Sequence, residues 1–530
     1  METTIKTDVV IIGAGPTGLS LGCQLVRYGI HFIILEKNEG ITPYSKALGV
    51  HARTLEIYEQ IGLARKAIEQ GAVAEKGRML VGGEVRGELD FSNIGEGLSP
   101  YPYVLMLEQS KNERLLYEYL KSHGKEVLWK RELENVSQTE AGVTARVKTP
   151  DGASQIIEAK YLVGCDGPKS LVRHTLGLSF GGSTFERMFY VADAQVDWNF
   201  SHDALHICLS KNTFVVFFPL KGEKRYRIVG VFPEEFAKEE GDVLYEEIEQ
   251  RIKQEAKLEL DLHDVEWFST YKVHTRHVSK FSAGRCLLAG DSAHVHSPAG
   301  AQGMNTGIQD GYNLAWKMAL VLKGTADKKL LDTYNEERLE NAKNLLQTTD
   351  RMFQLAAGSE WFLAFVRTNV LPAIGKYILG LESVRRFLFP LLSQIGINYR
   401  HSSLSRHAGD EDFNVKAGDR MPYFLVDAES IYDRLREPKF HLIAVSDGQG
   451  DFQGLKTEAE RQYTELVDFH AISLDSQVAE AFGTEKSFTV LLRPDNYIGY
   501  ISTEASLNEL KAYLRDFVRY SKGFSVSSEA

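Results

Sequence analysis

Cysteine is scarce. The 530-residue chain has four, Cys23, Cys165, Cys208 and Cys286, far apart and without a C-x-x-C pair. That argues against a disulfide framework, a zinc site and a redox dithiol, and fits reduced core residues of a cytoplasmic protein. Basic charge is not in excess either: 61 Lys and Arg against 72 Asp and Glu leave a net charge of -11. Such a chain has no global field with which to hold phosphate backbones, so nucleic acid is not an expected partner. A clean membrane span is missing too. The most apolar late stretch, 361–381, is interrupted by Arg367, Asn369, Pro372 and Lys376 and reads as packed amphipathic helix. The opening METTIKTDVVIIG has no basic n-region or A-x-A site, so no secretory signal is expected. There is no internal repeat and no low-complexity tract. With 43% hydrophobic and 25% charged residues and only 14 prolines, the chain is expected to fold throughout.

The length is several times the common domain size and predicts two to four domains. DVVII at 8–12 has the length and β-branching of a buried parallel strand. A helical pattern follows at 16–29 and a second strand at 31–35, which makes one βαβ unit. Further helices are expected within 44–62 and 108–124, separated by a Gly- and Pro-rich excursion at 83–103. Strand alternation dominates 192–232, where FTVVFFPL and YRIVGVF predict a hairpin around 221–224. From 284 the strand-then-helix grammar returns, so a sheet domain is inserted into an α/β domain. A helical stretch over 327–393, a linker at 398–418 and a compact α/β module complete the chain.

Gly13, Gly15 and Gly18 form G-x-G-x-x-G directly after a strand and at the start of a helix. Glu36 ends the next strand, eighteen residues past Gly18. Each glycine has a mechanical role. Gly13 permits the tight turn, Gly15 lets backbone approach a pyrophosphate, and Gly18 allows close helix-strand packing. The helix N-terminus attracts the anion, and Glu36 accepts hydrogen bonds from a ribose. The motif predicts a dinucleotide site and does not separate NAD from FAD.

Two later segments do. YLVGCDGPKSLVRHTLG carries Asp166, Gly167, Ser170 and Arg173. RCLLAGDSAHVHSPAGAQGMNTGIQDGYNLAWKMA places Asp291 at a strand end, then a Gly/Pro loop, then a helix expected to begin near Asn305. In this order and at these distances, the three motifs resemble the single-component FAD-dependent aromatic hydroxylases, the p-hydroxybenzoate and phenol hydroxylase group of flavoprotein monooxygenases. The resemblance covers essentially the whole chain. It implies a Rossmann-like FAD-binding domain (1–82, 104–185 and 280–335) with an inserted mixed β-sheet substrate domain (83–103 and 186–279). A helical connector (336–405) and a C-terminal thioredoxin-like α/β domain (412–530) follow. The last is carried by AGDRMPYFLV and LLRPDNYIGYI, and it has no cysteine, so it is redox-dead and structural or dimer-supporting.

The resemblance also implies residue roles. Asp291 holds a ribityl hydroxyl of FAD. Gly300, Gly303, Met304 and Asn305 face the flavin ring, where a helix N-terminus stabilises the negative charge of the reduced cofactor. Lys46, Arg53 and Gln109 contact FAD, and the backbone at Leu133 meets the adenine. Asp166, Gly167 and Arg173 form the fingerprint linked to FAD and NAD(P)H. Pro298 and Phe218 contact the substrate. Lys46 stands where many members have Arg, and Leu48 falls where phenol hydroxylase has its basic acid, so the catalytic base is unassigned. Phe214, Phe217, Tyr226 and Phe232 are further aromatic candidates for the cavity, with plain core as the other reading. His294 and His296 lack further ligands at metal spacing, and no metal is expected.

The implied activity is FAD-dependent, NADPH- or NADH-consuming monooxygenation of an aromatic, phenolic or polyketide-like substrate through a flavin C4a-hydroperoxide, with O2 as co-substrate. A homodimer is allowed. Baeyer-Villiger or antibiotic-modifying oxygenation and a non-oxygenating flavin reductase stay open as alternatives. The five tryptophans offer no W-x-W-x-I-P, which argues against a halogenase.

Overall fold

The computed structural model describes residues 4–210, 213–233, 243–297, 299–357, 382–409, 412–448, 452–503 and 507–518. The apolar run at 8–12 lies in the middle of a parallel sheet, which is why it needs no polar alternation. The elements that build this layer are β1 (Thr4–Ile12), α1 (Pro16–Arg27), β2 (Phe32–Glu36), α2 (Ala52–Glu59), α3 (Gln109–Ser122), β3 (Val127–Trp129), β4 (Ser154–Gly164) and β5 (Cys286–Leu288). The strands run in the order β5-β4-β1-β2-β3, all parallel, with Val143–Lys148 added antiparallel to β4 and Glu132–Gln138 antiparallel to Val143–Lys148. β5 returns to this sheet more than a hundred residues after β4. Behind the sheet, α1 packs on α4 (Gln302–Leu322), a helix buried along most of its length, and α5 (Asp332–Ala357) follows.

A second sheet of eight strands contains the inserted segment. Its order is His294–Val295, Asp261–Val278, Phe180–Asp197, Arg225–Val231, Phe214–Pro219, Ala204–Leu209, Lys76–Val81 and Glu84–Asp90. The predicted hairpin is present, with Phe214–Pro219 antiparallel to Arg225–Val231. Two boundaries move. Lys76–Val81 pairs parallel with Ala204–Leu209, so the chain enters this sheet before residue 83. Phe180–Asp197 starts ahead of 186 and pairs with Asp261–Val278 along most of its length. A run as short and mixed as KGRMLV carries too little periodicity to announce a strand, and its partner is distant in sequence.

The C-terminal module is a five-stranded sheet in the order Arg406–Ala408, Ile498–Ser502, Phe488–Leu492, β6 (Phe440–Ser446), β7 (Val467–Ser473). Its first strand comes from the stretch read as linker. The module has its own core around Met421, Val445, Val478 and Phe488. Its other face packs on the main body, where Phe440 meets Trp316 of α4 edge-on at 5.7 Å. A fully buried side chain of that size contributes on the order of 2 kcal/mol or more by area alone. The predicted amphipathic helix at 361–381 lies outside the described residues. Among the described residues no helix is long and apolar enough to cross a membrane.

Candidate functional site

Gly13, Glu36, Asp166 and Asp291 all lie just past the carboxyl ends of parallel strands, where ligands of open α/β sheets bind. Gly13 has φ +106°, and a Cβ there would overlap the Cys165 carbonyl. A Cβ on Gly18 would overlap the Gly13 carbonyl, so the helix rides directly on the turn. Gly15 differs: a Cβ there meets nothing within 4 Å. Its side is open, and the first turn of α1 faces that space with no side-chain cap. Glu36 is held in place, its Oε2 accepting the Ala14 N–H at 2.9 Å and its Oε1 the Asn38 N–H at 3.0 Å. The Arg131 N–H donates to the Glu36 carbonyl at 2.9 Å, which brings the start of the Leu133 strand beside β2. The Leu133 side chain itself is core.

The helix expected near Asn305 begins three residues earlier, at Gln302. Gly300 (φ +74°) and Ala301 (φ +53°) are both left-handed and turn the chain sharply into α4. Asn305 is therefore inside the first turn, and its side chain is fully used. Its Nδ2 donates to the carbonyls of Gly49 and Ala301, each at 2.9 Å, while its Oδ1 accepts from the His51 N–H at 2.9 Å and the Thr54 hydroxyl at 2.7 Å. The His51 Nε2 contacts the Ala301 carbonyl at 3.1 Å, which assigns the proton to that nitrogen. Burial holds the His51 pKa down to about 4, so the ring is neutral. Met304 packs its sulfur on the Asn112 amide at 3.4 Å, and a Cβ on Gly303 would come within 3.3 Å of His296.

Asp291 sits on a loop clamped from both ends. The Gly290 N–H donates to Asp310 of α4 at 2.8 Å, and His294 contacts the same carboxylate oxygen at 2.9 Å. Burial opposes the charge on Asp310, but Arg338 at 2.6 Å and His294 outweigh it and lower the pKa. On the other side, Arg173 donates to the Ser292 carbonyl at 3.0 Å and to the Pro168 carbonyl at 2.7 Å, with its guanidinium 4.0 Å over Phe180. Thr17 of α1 lies against Gly290 and Gly307, so the glycine turn and the Asp291 loop share one space. The Asp291 carboxylate is exposed and makes no hydrogen bond to the described residues, yet protein surrounds it and desolvation raises its pKa. That combination is a carboxylate at the floor of a cleft. Asp166 caps the turn after Gly167 (φ +78°), accepting the Val172 N–H at 3.1 Å, and burial raises its pKa as well.

Lys46 is exposed on a loop whose Ala47 N–H donates to the Gln109 Oε1 at 3.1 Å, and Gln109 in turn donates to Glu113 at 2.8 Å. The Arg53 guanidinium is buried and donates to Glu56 at 3.0 Å and to the Asp495 carbonyl at 2.8 Å, while its Nε meets no partner among the described residues. Charge in a helix pattern marks a candidate contact but cannot reveal that a module 442 residues later will take it. Of the aromatics, Phe217, Tyr226 and Phe232 belong to the core beneath Tyr245–Ala256, and Phe214 packs on Phe189. Phe218 is on the opposite face, half-buried with Ile207 and Val216 against Leu48, Met106 and Leu220. Pro298 lies outside the described residues.

Residues 6–349 match the family described as FAD binding domain. A flavin-dependent monooxygenase of Mycobacteroides abscessus is 32% identical over 521 residues, spanning 96% of this chain and 99% of that protein. The 6-methylpretetramide 4-monooxygenase of Streptomyces rimosus is 29% identical over 547 residues, spanning 96% of this chain and 93% of its own. The chain belongs to the FAD-dependent aromatic hydroxylases. The structure of anhydrotetracycline hydroxylase from Streptomyces rimosus superposes on this hydroxylase with a TM-score of 0.77 at 30% identity, covering 96% of this chain and 99% of that one.

The residues of the hydroxylase cleft fit FAD on their own terms. Besides the open side of Gly15 and the unengaged Asp291, Asp166 Oδ1, Arg131 Nε and Gln302 Nε2 are buried without a partner among the described residues. Buried polar atoms of this kind are normally satisfied, and together they ask for a polar ligand. The sequence reading assigned Asn305 by its backbone and missed its side chain, and it missed His51, Asp310 and Arg338. The H-A-R-T run and the D of GIQDG carried the signal, but their pairing is tertiary.

Proposed function

We propose that this FAD-dependent monooxygenase places one oxygen atom of O2 on an aromatic, phenolic or polyketide-like ring, with NADPH or NADH as reductant. The apolar wall of Leu48, Met106, Leu220 and Phe218 carries the reading, because it lies beside Gly49, whose Cβ would touch Ala301 at the α4 N-terminus. A flat apolar substrate matches such a wall. FAD, when bound, supplies electron transfer from the nicotinamide and the activation of oxygen.

The chain's own residues do the rest. Glu36 accepts a ribose hydroxyl, Asp291 a ribityl hydroxyl, and the backbone at Gly15 admits the pyrophosphate. Lys46 and Gln109 steady the cofactor from the 45–47 loop, with the backbone at Leu133 beside the adenine. The α4 amides at Gly303, Met304 and Asn305 offer positive partial charge where the ring gains negative charge. Asp166, Gly167 and Arg173 set the Asp291 loop in place. Leu48 leaves no carboxylate at the position of the phenol hydroxylase base. The thioredoxin-like module acts as a redox-inactive buttress, with no cysteine after Cys286. Exposed Phe387 and Leu391, one turn apart, are the candidate contact of a homodimer. The four free cysteines suit a reducing cytoplasm.

The test is a substrate panel of phenols and anhydrotetracycline-like polyketides, scored by accelerated NADPH oxidation and by 18O2 incorporation. A hydroxylated product carrying one labelled oxygen supports the proposal. A lactone moves the enzyme to Baeyer-Villiger chemistry, and NADPH oxidation without label in any product moves it to the reductases.

A further inference from the structure

The C-terminal sheet brings two histidines and an aspartate together, outside the flavin cleft. His441 lies on β6, and Asp468 and His470 lie on β7. The strands are parallel neighbours in which His441 pairs with Asp468, so all three side chains leave the same face. We propose that His441 Nδ1, His470 Nε2 and Asp468 Oδ2 bind one divalent transition-metal ion of the zinc class, which staples β7 to β6.

The geometry favours a metal over a simple hydrogen-bonded cluster. His441 Nδ1 and His470 Nε2 are 3.0 Å apart, His470 Nε2 and Asp468 Oδ2 are 3.4 Å apart, and His441 Nδ1 and Asp468 Oδ2 are 3.8 Å apart. The last two are too long for hydrogen bonds. The 3.4 Å separation matches the edge of a zinc coordination shell, about 3.3 Å for bonds of about 2.0–2.1 Å, the 3.8 Å one is wider, and a point about 2.0 Å from all three atoms exists. His441 Nε2 contacts the Glu437 carbonyl at 3.1 Å, so its proton is there and the Nδ1 lone pair faces the cluster. A carbonyl behind the far nitrogen is the usual support of a metal-ligating imidazole. His470 has only to carry its proton on Nδ1 for its Nε2 lone pair to join.

The remaining position is open. His441 is fully buried, whereas the Asp468 side chain is 40% exposed, so water completes the shell from the solvent side. Asp468 also supplies the negative charge that offsets Arg27 and Lys439 near His441 and Arg434 near His470. Two imidazoles and one carboxylate select Zn²⁺, Co²⁺, Ni²⁺ or Cu²⁺ over Mg²⁺ or Ca²⁺. β7 is the edge strand of its sheet, the element that gains most from a cross-link. The expectation of no metal rested on His294 and His296. Histidines brought together from separate strands leave no spacing signature.

The experiment uses the FAD-loaded protein. After dialysis against zinc sulfate and removal of loosely held ion, metal content is read by plasma emission and FAD content by absorbance. The wild type is expected to keep about one zinc per chain and to melt at a higher temperature with zinc than without. His470→Ala and Asp468→Asn, whose side chains are 13% and 40% exposed, are expected to lose the zinc and the thermal shift while keeping their FAD. Wild type without zinc, or zinc retained equally by both variants, overturns the proposal.

Discussion

The Arg53 guanidinium donates to the backbone carbonyl of Asp495 at 2.8 Å, across 442 residues of chain. It also lies over the rings of Tyr312 and Tyr497, at 5.6 and 5.0 Å. Helix α2 is thus bonded to the C-terminal module on one face and, through Thr54 and Asn305, to the N-terminal end of α4 on another. The same module reaches α4 directly. Arg493 binds Glu337 at 2.5 Å and Asp495 at 2.6 Å, Asp495 accepts from the Trp316 indole at 2.9 Å, and Lys317 binds Glu337 at 2.7 Å. All four charged groups are buried, and two cations balance two anions.

Arg53 is paired with the buried Glu56 carboxylate at 3.0 Å, and removing one partner of a buried ion pair is costly. Arg53→Gln is expected to cost about 3 kcal/mol of stability, with lower FAD content on purification. The absorption spectrum of the FAD that stays bound is expected to be unchanged. An altered flavin spectrum with an unchanged melting temperature would return Arg53 to the cofactor site.

The glycines of the first turn separate by variant. Gly15→Val adds a side chain into open space, so the protein is expected to fold with an unchanged circular dichroism spectrum and to purify colourless. Gly18→Val drives a Cβ into the Gly13 carbonyl and is expected to yield insoluble or unfolded protein. A yellow Gly15→Val protein contradicts the pyrophosphate placement.

Asn305→Leu leaves the His51 N–H, the Thr54 hydroxyl and the Gly49 carbonyl without their partner. At about 1–3 kcal/mol for each buried unsatisfied group, FAD affinity and melting temperature are both expected to fall. Asp291→Ala behaves differently, since its carboxylate has no protein partner to strand. FAD affinity drops by about tenfold or more, as for the loss of a hydrogen bond to a charged group, while the apoprotein melts where the wild-type apoprotein does. Calorimetric titration with FAD, paired with melting of the apo forms, checks both.

His51 predicts a loss of stability in acid. Its folded pKa, about 4, is below the ordinary histidine value, so between about pH 6.5 and 4 the unfolded chain binds more protons than the folded one. Stability is therefore complete above about pH 6.5 and declines as the pH falls, by about 2 kcal/mol at about pH 5 from this ring alone. The melting temperature of wild type is expected to fall over that range, and less steeply in His51→Gln, which keeps a neutral donor for the Ala301 carbonyl. Parallel slopes would contradict the assignment.

Local signals in the sequence carried a long way. Gly13, Gly15, Gly18 and Glu36 are read from spacing because their roles are set by neighbours in the chain. Asp291 shows itself by following an apolar strand. Arg53 and the partners of Asn305 were hidden because their bonds close over distances that no periodicity encodes. The start of α4 was misplaced by three residues because left-handed Ala301, a non-glycine, does not advertise a turn. The Lys76–Val81 strand was not read at all, and its parallel partner lies more than a hundred residues away.

The bond from Asp495 to Arg53 also orders events during synthesis. Until the last sheet of the chain has left the ribosome, Trp316 lacks the Asp495 carboxylate and Arg53 the Asp495 carbonyl, while Arg53 keeps Glu56 and Lys317 keeps Glu337. The face of α2 and α4 that meets the module is therefore covered late in biogenesis. A product of premature termination before residue 493 would leave the ribosome with the Trp316 indole and the Arg53 guanidinium short of these partners.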